Sequence, residues 1–464
     1  MIGVVLGVVG ELLGLLAAGH ALLYKRHSRA AFGWIISCFT FPFLGALLYY
    51  FFGINRVRAR ARKLRERADD PVPASGDGFA LPVELEPLVQ LGFAVSGAPL
   101  TGGNRIDILH NGEQAYPAML EAIEGASKHI YLATYIFETN ATGRAFISAL
   151  GRAAARGVDV RVLLDGFGEL YSFPRARRIF HGTGVKVARF LPARLLPPVL
   201  RVNLRNHRKI LVVDDGTAFT GGINIGDRHL ADAEPKLKRV VDMHFKLRGP
   251  IAAQIQALFL HDWRFCTGDS TAVPSAQIEP AGDAICRVIA DGPDNDLDQL
   301  AALLVGGIGI ARRRISIMMP YFLPPREILG ALQAAALRGV DVAVILPARN
   351  NLPYVHRATR HMLWELIERG VEIYYQPGAF VHSKLFLIDG QYAQIGSANL
   401  DPRSLRLNFE LTVEIYDPAL VGELERHFEA ARAKSTPVRL QDVDKRRLPT
   451  RLVDGLAWLF SPYL

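Results

Sequence analysis

Residues Asn206–Asn224 read NHRKILVVDDGTAFTGGIN, and residues Val381–Asn399 read VHSKLFLIDGQYAQIGSAN. Each stretch carries His-x-Lys, an Asp seven residues after the His and an Asn seventeen after it. The first set is His207, Lys209, Asp214 and Asn224; the second is His382, Lys384, Asp389 and Asn399. One such tripeptide says little, but two copies agreeing over nineteen residues mark an internal duplication. The apolar runs Ile210–Val213 and Leu385–Ile388, closed by Asp and Gly, predict a buried strand entering a turn. Alternation along a strand puts His207 and Lys209 on one face, and His382 and Lys384 likewise. Asp214, an odd number of residues from its His, points the other way and is expected to orient structure more than to touch substrate. Gly221, Gly222 and Gly396, just ahead of the Asn residues, predict a turn that brings backbone close to a ligand.

The duplication extends outward. Lys128–Leu132 leading to Tyr135-Ile136-Phe137 is matched by Arg314–Ile317 leading to Pro320-Tyr321-Phe322, and Arg156–Val160 recurs as Arg338–Val342. Strands alternating with helices predict two similar α/β halves, 104–268 and 284–435, with mostly parallel sheets. The break between them is the polar stretch Thr267–Asp283. Each half supplies one His-Lys strand to a site at their pseudo-twofold interface.

A chain of 464 residues suits two or three domains, and with half its residues apolar, burial is not limiting. The three cysteines, Cys38, Cys266 and Cys286, have neither paired nor metal-like spacing, which excludes a disulfide framework and favours a reducing compartment. Met1–Tyr24 is interrupted only by Glu11 and His20, and Ala30–Phe52 has no charge, so each can supply the ~20 residues that cross a bilayer. No Lys or Arg precedes Tyr24, which argues against a signal peptide. Residues 1–53 are therefore expected to form a two-helix membrane hairpin, with Gly3, Gly7, Gly10 and Gly14 suiting close helix packing and Pro42 kinking the second arm. Glu11 is the misfit: a midspan carboxylate costs ~3 kcal/mol and should be neutral or face a partner.

The net charge of +9 is concentrated. Within the basic juxtamembrane segment and linker, 54–103, seven Lys and Arg fall between Arg56 and Arg67, and DDPVPASGDG follows at 69–78. By the excess of cations on the inner side, everything after the second arm is expected in the cytoplasm, a multi-pass protein of the cell membrane. Arg175–Lys209 holds ten basic residues and no acidic one, around the apolar run Leu191–Leu200, which reads as a flexible basic loop or as contact with an anionic bilayer. The tail, 436–464, ends in an apolar-rich helix, Leu448–Leu464, expected to pack on the core or to lie on a membrane.

Two His, two Lys and two Asn converging between similar halves suit a phosphodiester. Ammonium and amide groups hold the non-bridging oxygens and offset charge growing in the transition state. One imidazole attacks phosphorus while the other protonates the leaving alcohol and then deprotonates the acceptor, help worth ~10²–10⁴-fold. His207 is taken as the nucleophile and His382 as the acid. Asp242, in VVDMHF, and Glu410, in LNFE, each follow a Gly-Asn turn beside an apolar strand and are the carboxylates expected to fix the ring tautomers. Zinc is disfavoured, since no HExxH or Cys/His ligand spacing occurs and a Lys beside each His repels a cation. No Walker-type GxxxxGK[ST] loop is present, which argues against nucleotide hydrolysis. His181, His229, His261, His356 and His361 lack partners at telling spacing.

Both HxKxxxxD stretches, with GGIN and GSANLDPRS behind them, resemble the phospholipase D superfamily, and most closely bacterial cardiolipin synthases. The resemblance runs from the N-terminal pair ending in YYFFG through Asn111-Gly112, YIFETNATG, HDW at 261–263, DGPDND and PYFLPP to LNFE at 407–410. It implies a phosphatidyltransferase that needs no metal or cofactor, moves a phosphatidyl group between phosphatidylglycerol molecules and releases glycerol. Partners implied are phosphatidylglycerol and other anionic membrane lipids rather than nucleic acid; the oligomeric state is left open. Two departures stand out: Asn140 where an Asp is expected, and no aromatic in 232–240 ahead of Asp242. A lipid hydrolase or a membrane-tethered nuclease is the competing reading, since both act on phosphodiesters; a non-enzymatic scaffold leaves both His-Lys-Asn sets unexplained.

Overall fold

A computed structural model describes residues 2–25, 28–53, 79–192, 204–235, 238–269, 278–293 and 298–461. The Arg56–Arg67 cluster, the 69–78 linker and most of the Leu191–Leu200 run lie outside the described residues. The chain divides into two compact units, an N-terminal one within 1–66 and a second within 67–464.

In the N-terminal unit the first apolar run is one helix, Ile2–Tyr24. Among the described residues it contains the one segment, Gly7–Tyr24, long and apolar enough to cross a membrane. The second run is not a single arm. It forms helices Ser28–Thr40 and Pro42–Leu48 and a π-turn at Tyr49–Gly53. Pro42 cannot donate into the preceding helix, so it starts a new one after Phe41 leaves helical geometry (φ −131°, ψ 74°). Of the expected glycines, Gly10 and Gly14 pack closely, a Cβ on Gly14 falling 2.7 Å from the Cys38 carbonyl oxygen, whereas a Cβ on Gly7 would meet nothing within 4 Å. Glu11 is exposed.

In the second unit, fifteen of the described strands form one continuous sheet. From its centre, Thr101–His110 and Ala284–Asp291 pair antiparallel, and the two halves run outward from this seam in matching order. The first half continues through Met243–Arg248, Thr217–Gly221, Ile210–Val213, His129–Thr134, Asp159–Asp165 and Lys186–Phe190. The second continues through Glu410–Tyr416, Tyr392–Gly396, Leu385–Ile388, Arg314–Met318, Asp341–Pro347 and Glu372–Gln376, with Thr436–Val438 added antiparallel at its outer edge. The expectation of mostly parallel sheets needs correcting. Among the described strands of this sheet, pairing is parallel only where a helix carries the chain across, at 129–134/159–165/186–190 and at 314–318/341–347/372–376. Each His-Lys strand instead returns through a short turn as an antiparallel hairpin, because a few residues cannot make a parallel crossover.

Helices on both faces bury two apolar cores, one built around Ile130, Phe146, Val162 and Phe219, the other around Ile317, Leu332, Val344 and Phe386. Asn140 caps the Ala141–Ala155 helix, accepting from Gly143 N at 3.4 Å, a task that an Asp performs equally well.

Candidate active site

The strands Ile210–Val213 and Leu385–Ile388 are wholly buried, as their unbroken apolar runs require. His207, Lys209, His382 and Lys384 lie in the extended lead-ins just ahead of them rather than on the strands themselves. There the chain crosses between halves. His207 N donates to Phe409 O at 2.9 Å, and Phe409 N donates to Arg205 O at 2.8 Å. On the other side His382 N donates to Val241 O at 2.7 Å, within a parallel pairing of Phe380–Val381 with Val240–Val241. Each His is thus tied by backbone to the residue preceding a carboxylate of the opposite half.

The side chains follow the backbone. His207 Nδ1 is 3.0 Å from Glu410 Oε2, and His382 Nδ1 is 2.7 Å from Asp242 Oδ2. Both carboxylates have no side-chain exposure. Glu410 also accepts from Ser397 Oγ at 2.5 Å and Asn408 Nδ2 at 3.1 Å; Asp242 accepts from the Met243 amide at 2.8 Å. Lys209 Nζ and Lys384 Nζ each donate to the carbonyl of their own His at 2.6 Å. Lys384 Nζ is also 3.0 and 3.2 Å from the His382 ring nitrogens. Two tyrosines in matching repeat positions flank the rings: Tyr135 lies 5.3 Å from His207 and Tyr321 lies 6.1 Å from His382, centroid to centroid.

The turn glycines pack closely against the backbone beside the carboxylates. At Gly396, φ is +147° and a Cβ would lie 2.2 Å from Leu411 O; Gly221 has the same φ and a Cβ there would lie 2.7 Å from Met243 O. Their absent side chains let the turn sit against the strand that carries Glu410 or Asp242. The next residue differs between halves. A Cβ on Gly222 would lie 2.4 Å from Asp242 Oδ2, while its counterpart Ser397 places a hydroxyl on the longer Glu410.

Burial dominates the electrostatics. It pushes Lys209 down to about 7 and Lys384 down to about 8. Burial and Lys384 hold His382 well below its ordinary value; burial also lowers His207, against the pull of Glu410. Burial favours the neutral Glu410 carboxyl, but His207, Lys209 and the Ser397 hydroxyl outweigh it and lower its pKa. For Asp242 burial wins and the pKa rises, despite Lys384. Burial thus disfavours charge on both imidazoles and both lysines, and an entering anion offsets that penalty.

Asn224 and Asn399 are buried. Asn224 Oδ1 accepts from Ile136 N at 3.1 Å, fixing the Tyr135 segment; Asn399 Nδ2 donates to Ser404 Oγ at 3.2 Å, and Asn399 lines a small cavity with Lys384. Asp214 and Asp389 are not brought to the imidazoles. They sit at the far ends of the strands with φ of +50° and +53°. Asp214 collects the amides of Lys128 and His129 at 2.8 and 3.1 Å, and Asp389 those of Arg312, Arg313 and Arg314 at 2.7–2.8 Å. Each ties its strand to the start of the neighbouring one.

Behind His207 lies Arg208, 2% exposed, which donates from Nη1 to Asp262 Oδ1 at 2.6 Å and from Nε to Glu410 O at 2.9 Å. The HDW segment thus supplies the counter-ion of a residue that also holds the Glu410 backbone. Among the described residues no group of three His, Cys, Asp or Glu could hold a metal ion.

The model of a family described as "Cardiolipin synthase, PLD-like domain" matches residues 119–263 and 304–432, and one described as "Phospholipase_D-nuclease N-terminal" matches 12–53. The chain is 33% identical to a cardiolipin synthase of Geobacillus thermodenitrificans (strain NG80-2), across 95% of this chain and 90% of that protein. It is 34% identical to cardiolipin synthase A of Pseudomonas aeruginosa (strain UCBPP-PA14), across 98% of this chain and 94% of that protein. The fold matches the crystal structure of a phosphatidylserine synthase from Haemophilus influenzae Rd KW20, with a TM-score of 0.61 at 15% identity, across 81% of this chain and all of that one.

Proposed function

Because this chain belongs to the cardiolipin synthase, PLD-like domain family, we propose that it condenses two phosphatidylglycerol molecules into cardiolipin and free glycerol through a phosphohistidine. The observation that carries the mechanism is the crossed pairing of His207 with Glu410 and His382 with Asp242. Glu410 accepts a hydrogen bond from His207 Nδ1–H and leaves the Nε2 lone pair facing substrate, whereas Asp242, with the anionic substrate, holds His382 doubly protonated, so that its Nε2–H is the proton given to the leaving oxygen. A phosphodiester bound beside Lys209 and Lys384 supplies the anion that keeps both ammoniums charged. His207 Nε2 attacks phosphorus; the P–O bond to glycerol breaks, and that oxygen takes a proton from His382. The N-phosphorylated ring is cationic, and ionised Glu410, held by Ser397 and Asn408, offsets that charge. A hydroxyl of a second phosphatidylglycerol then gives its proton back to His382 and attacks phosphorus, breaking the P–N bond. The free energy of the first ester is kept in the adduct, so no activated nucleotide is needed.

This reading includes a location in the bacterial cell membrane. The apolar N-terminal helix supports attachment, and the Arg56–Arg67 cluster of the sequence supports a catalytic region on the cytoplasmic side. Purified protein in phosphatidylglycerol vesicles, without CTP, CDP-diacylglycerol or divalent metal, is expected to yield cardiolipin and glycerol in equal amounts. Phosphatidic acid as the dominant product would make it a hydrolase, and an absolute need for CDP-diacylglycerol would reject the mechanism. Trapping the adduct and mapping it by mass spectrometry assigns the nucleophile; an adduct on His382 reverses the roles given to the two rings.

A further inference from the structure

The C-terminal helix, Leu448–Leu459, is built inside out. Its fully buried side chain is an acid, Asp454, at 0% exposure. Asp454 accepts from Arg360 Nη2 at 2.7 Å and Arg446 Nη1 at 2.5 Å, with Arg357 Nη1 3.9 Å away. Trp458 adds a ring contact at 5.1 Å with His361 of the Pro353–Ile367 helix, and with Ala457 it packs on the apolar core, so the helix is fastened by ions and by these two apolar side chains. The opposite face is apolar and open. Leu448, Leu452, Leu456 and Leu459 are 57–67% exposed, and Phe460 is 56% exposed. Their spacing of four, four and three residues makes one stripe along the helix. A surface helix of a soluble domain normally turns its leucines inward and its charges outward.

From Lys445 onward the exposed charges beside the stripe are of one sign, although exposed Asp442 and Asp444 precede it. Lys445, Arg447 and Arg451 are exposed, and from Lys445 to Ser461 the one acid is Asp454, already enclosed by arginines. Two copies meeting through this face would bring the same cations together; an anionic lipid surface complements both the stripe and its flanks. The supporting helix begins at Pro353, two residues after Asn351, which accepts from Tyr321 OH at 2.7 Å, and Tyr321 stands beside His382. The apolar stripe is thus mounted on an element that starts at the wall of the active site.

We propose that the C-terminal helix is a membrane-contact element in its own right. It lies in the headgroup region of an anionic bilayer, with Leu448, Leu452, Leu456, Leu459 and Phe460 at the acyl boundary and Lys445, Arg447 and Arg451 on lipid phosphates. The identity of that surface rests on the lipid-substrate reading; the contact itself is measured without turnover. Leu456→Cys, in full-length protein with Cys266 replaced by Ser, carries an environment-sensitive fluorophore and is reconstituted into vesicles with brominated acyl chains. Strong quenching is expected with phosphatidylglycerol present and weak quenching in pure phosphatidylcholine, while a label at Glu423→Cys stays unquenched in both. L452E/L456E is expected to raise the phosphatidylglycerol surface fraction needed for half-maximal rate about tenfold with kcat retained. A label at 456 that stays open to a water-soluble quencher in phosphatidylglycerol vesicles refutes the proposal. So does a label shielded from both quenchers, which marks a protein partner. Quenching as expected without cardiolipin formation would uphold the contact and overturn the assigned reaction instead.

Discussion

Glu410→Gln is the substitution that tests the crossed pairing most directly. The amide has nearly the volume of the carboxylate, so the buried site keeps its packing while losing its charge. In the wild-type protein Glu410 accepts from His207 Nδ1 at 3.0 Å, Ser397 Oγ at 2.5 Å and Asn408 Nδ2 at 3.1 Å. A hydrogen bond to a charged group is worth ~1.5–3 kcal/mol, and that bond reaches full strength only when the His207 ring becomes cationic. The expected loss in the step that phosphorylates His207 is therefore roughly 10- to 150-fold. If the amide nitrogen faces the ring, His207 must take the other tautomer and lose its Nε2 lone pair, which deepens the loss further. The assay is rapid-quench measurement of adduct formation in phosphatidylglycerol vesicles beside steady-state glycerol release, with thermal unfolding as the control for folding. Glu410→Gln is expected to slow adduct formation, and Asp242→Asn to slow proton transfer at both steps. A folded Glu410→Gln protein that forms adduct within threefold of the wild-type rate would refute the role given to the pair.

The two lysines give a pH signature of opposite sign in activity and stability. As pH rises through about 7 to 8 the free enzyme loses its ammoniums, so kcat/KM should fall while bound substrate moves the kcat limb upward. Their folded pKa values lie below the ordinary 10.5, so the native state binds fewer protons than the unfolded chain between about 7 and 10.5, and the penalty for burying charge is relieved across that window. Wild-type protein should therefore gain thermal stability relative to Lys209→Met as pH rises from 7 to 9, which calorimetry checks. Arg208→Met leaves Asp262 buried without its cation and should cost ~3–5 kcal/mol in denaturant unfolding. Gly396→Ala drives a Cβ against Leu411 O and should cost ~3 kcal/mol in the same measurement.

Much of the site was legible because it is carried by short contiguous motifs. His207, Lys209 and Asn224 recur as His382, Lys384 and Asn399, and that recurrence alone implies a shared centre. The crossing of the carboxylates was not legible. Along the chain Asp242 follows His207 and Glu410 follows His382, so proximity in sequence suggests pairing within each half. Only the backbone bonds at Phe409 and Val241, which join residues far apart in the chain, exchange the partners. Tyr135 and Tyr321 stood in the matched YIF and PYF segments, and the match itself was the signal that both flank a His. Ser397 and Arg208 carried no such signal, since Ser397 faces Gly222 in the alignment of the repeats and Arg208 faces Ser383. The second apolar run was long enough for one span, but Pro42 divides it, a local steric effect that a hydropathy count does not register.

The exchange of carboxylates between halves also sets the order of events during synthesis. His207 leaves the ribosome well before Glu410, 203 residues further on. Until Glu410 is made, the His207 imidazole lacks the group that aims it, and Asp242 likewise lacks its partner until His382 follows 140 residues later. A chain that ends before Glu410 is therefore expected to form no adduct on His207, which mass spectrometry of the truncated protein checks. The enzyme switches on only when its last strands arrive.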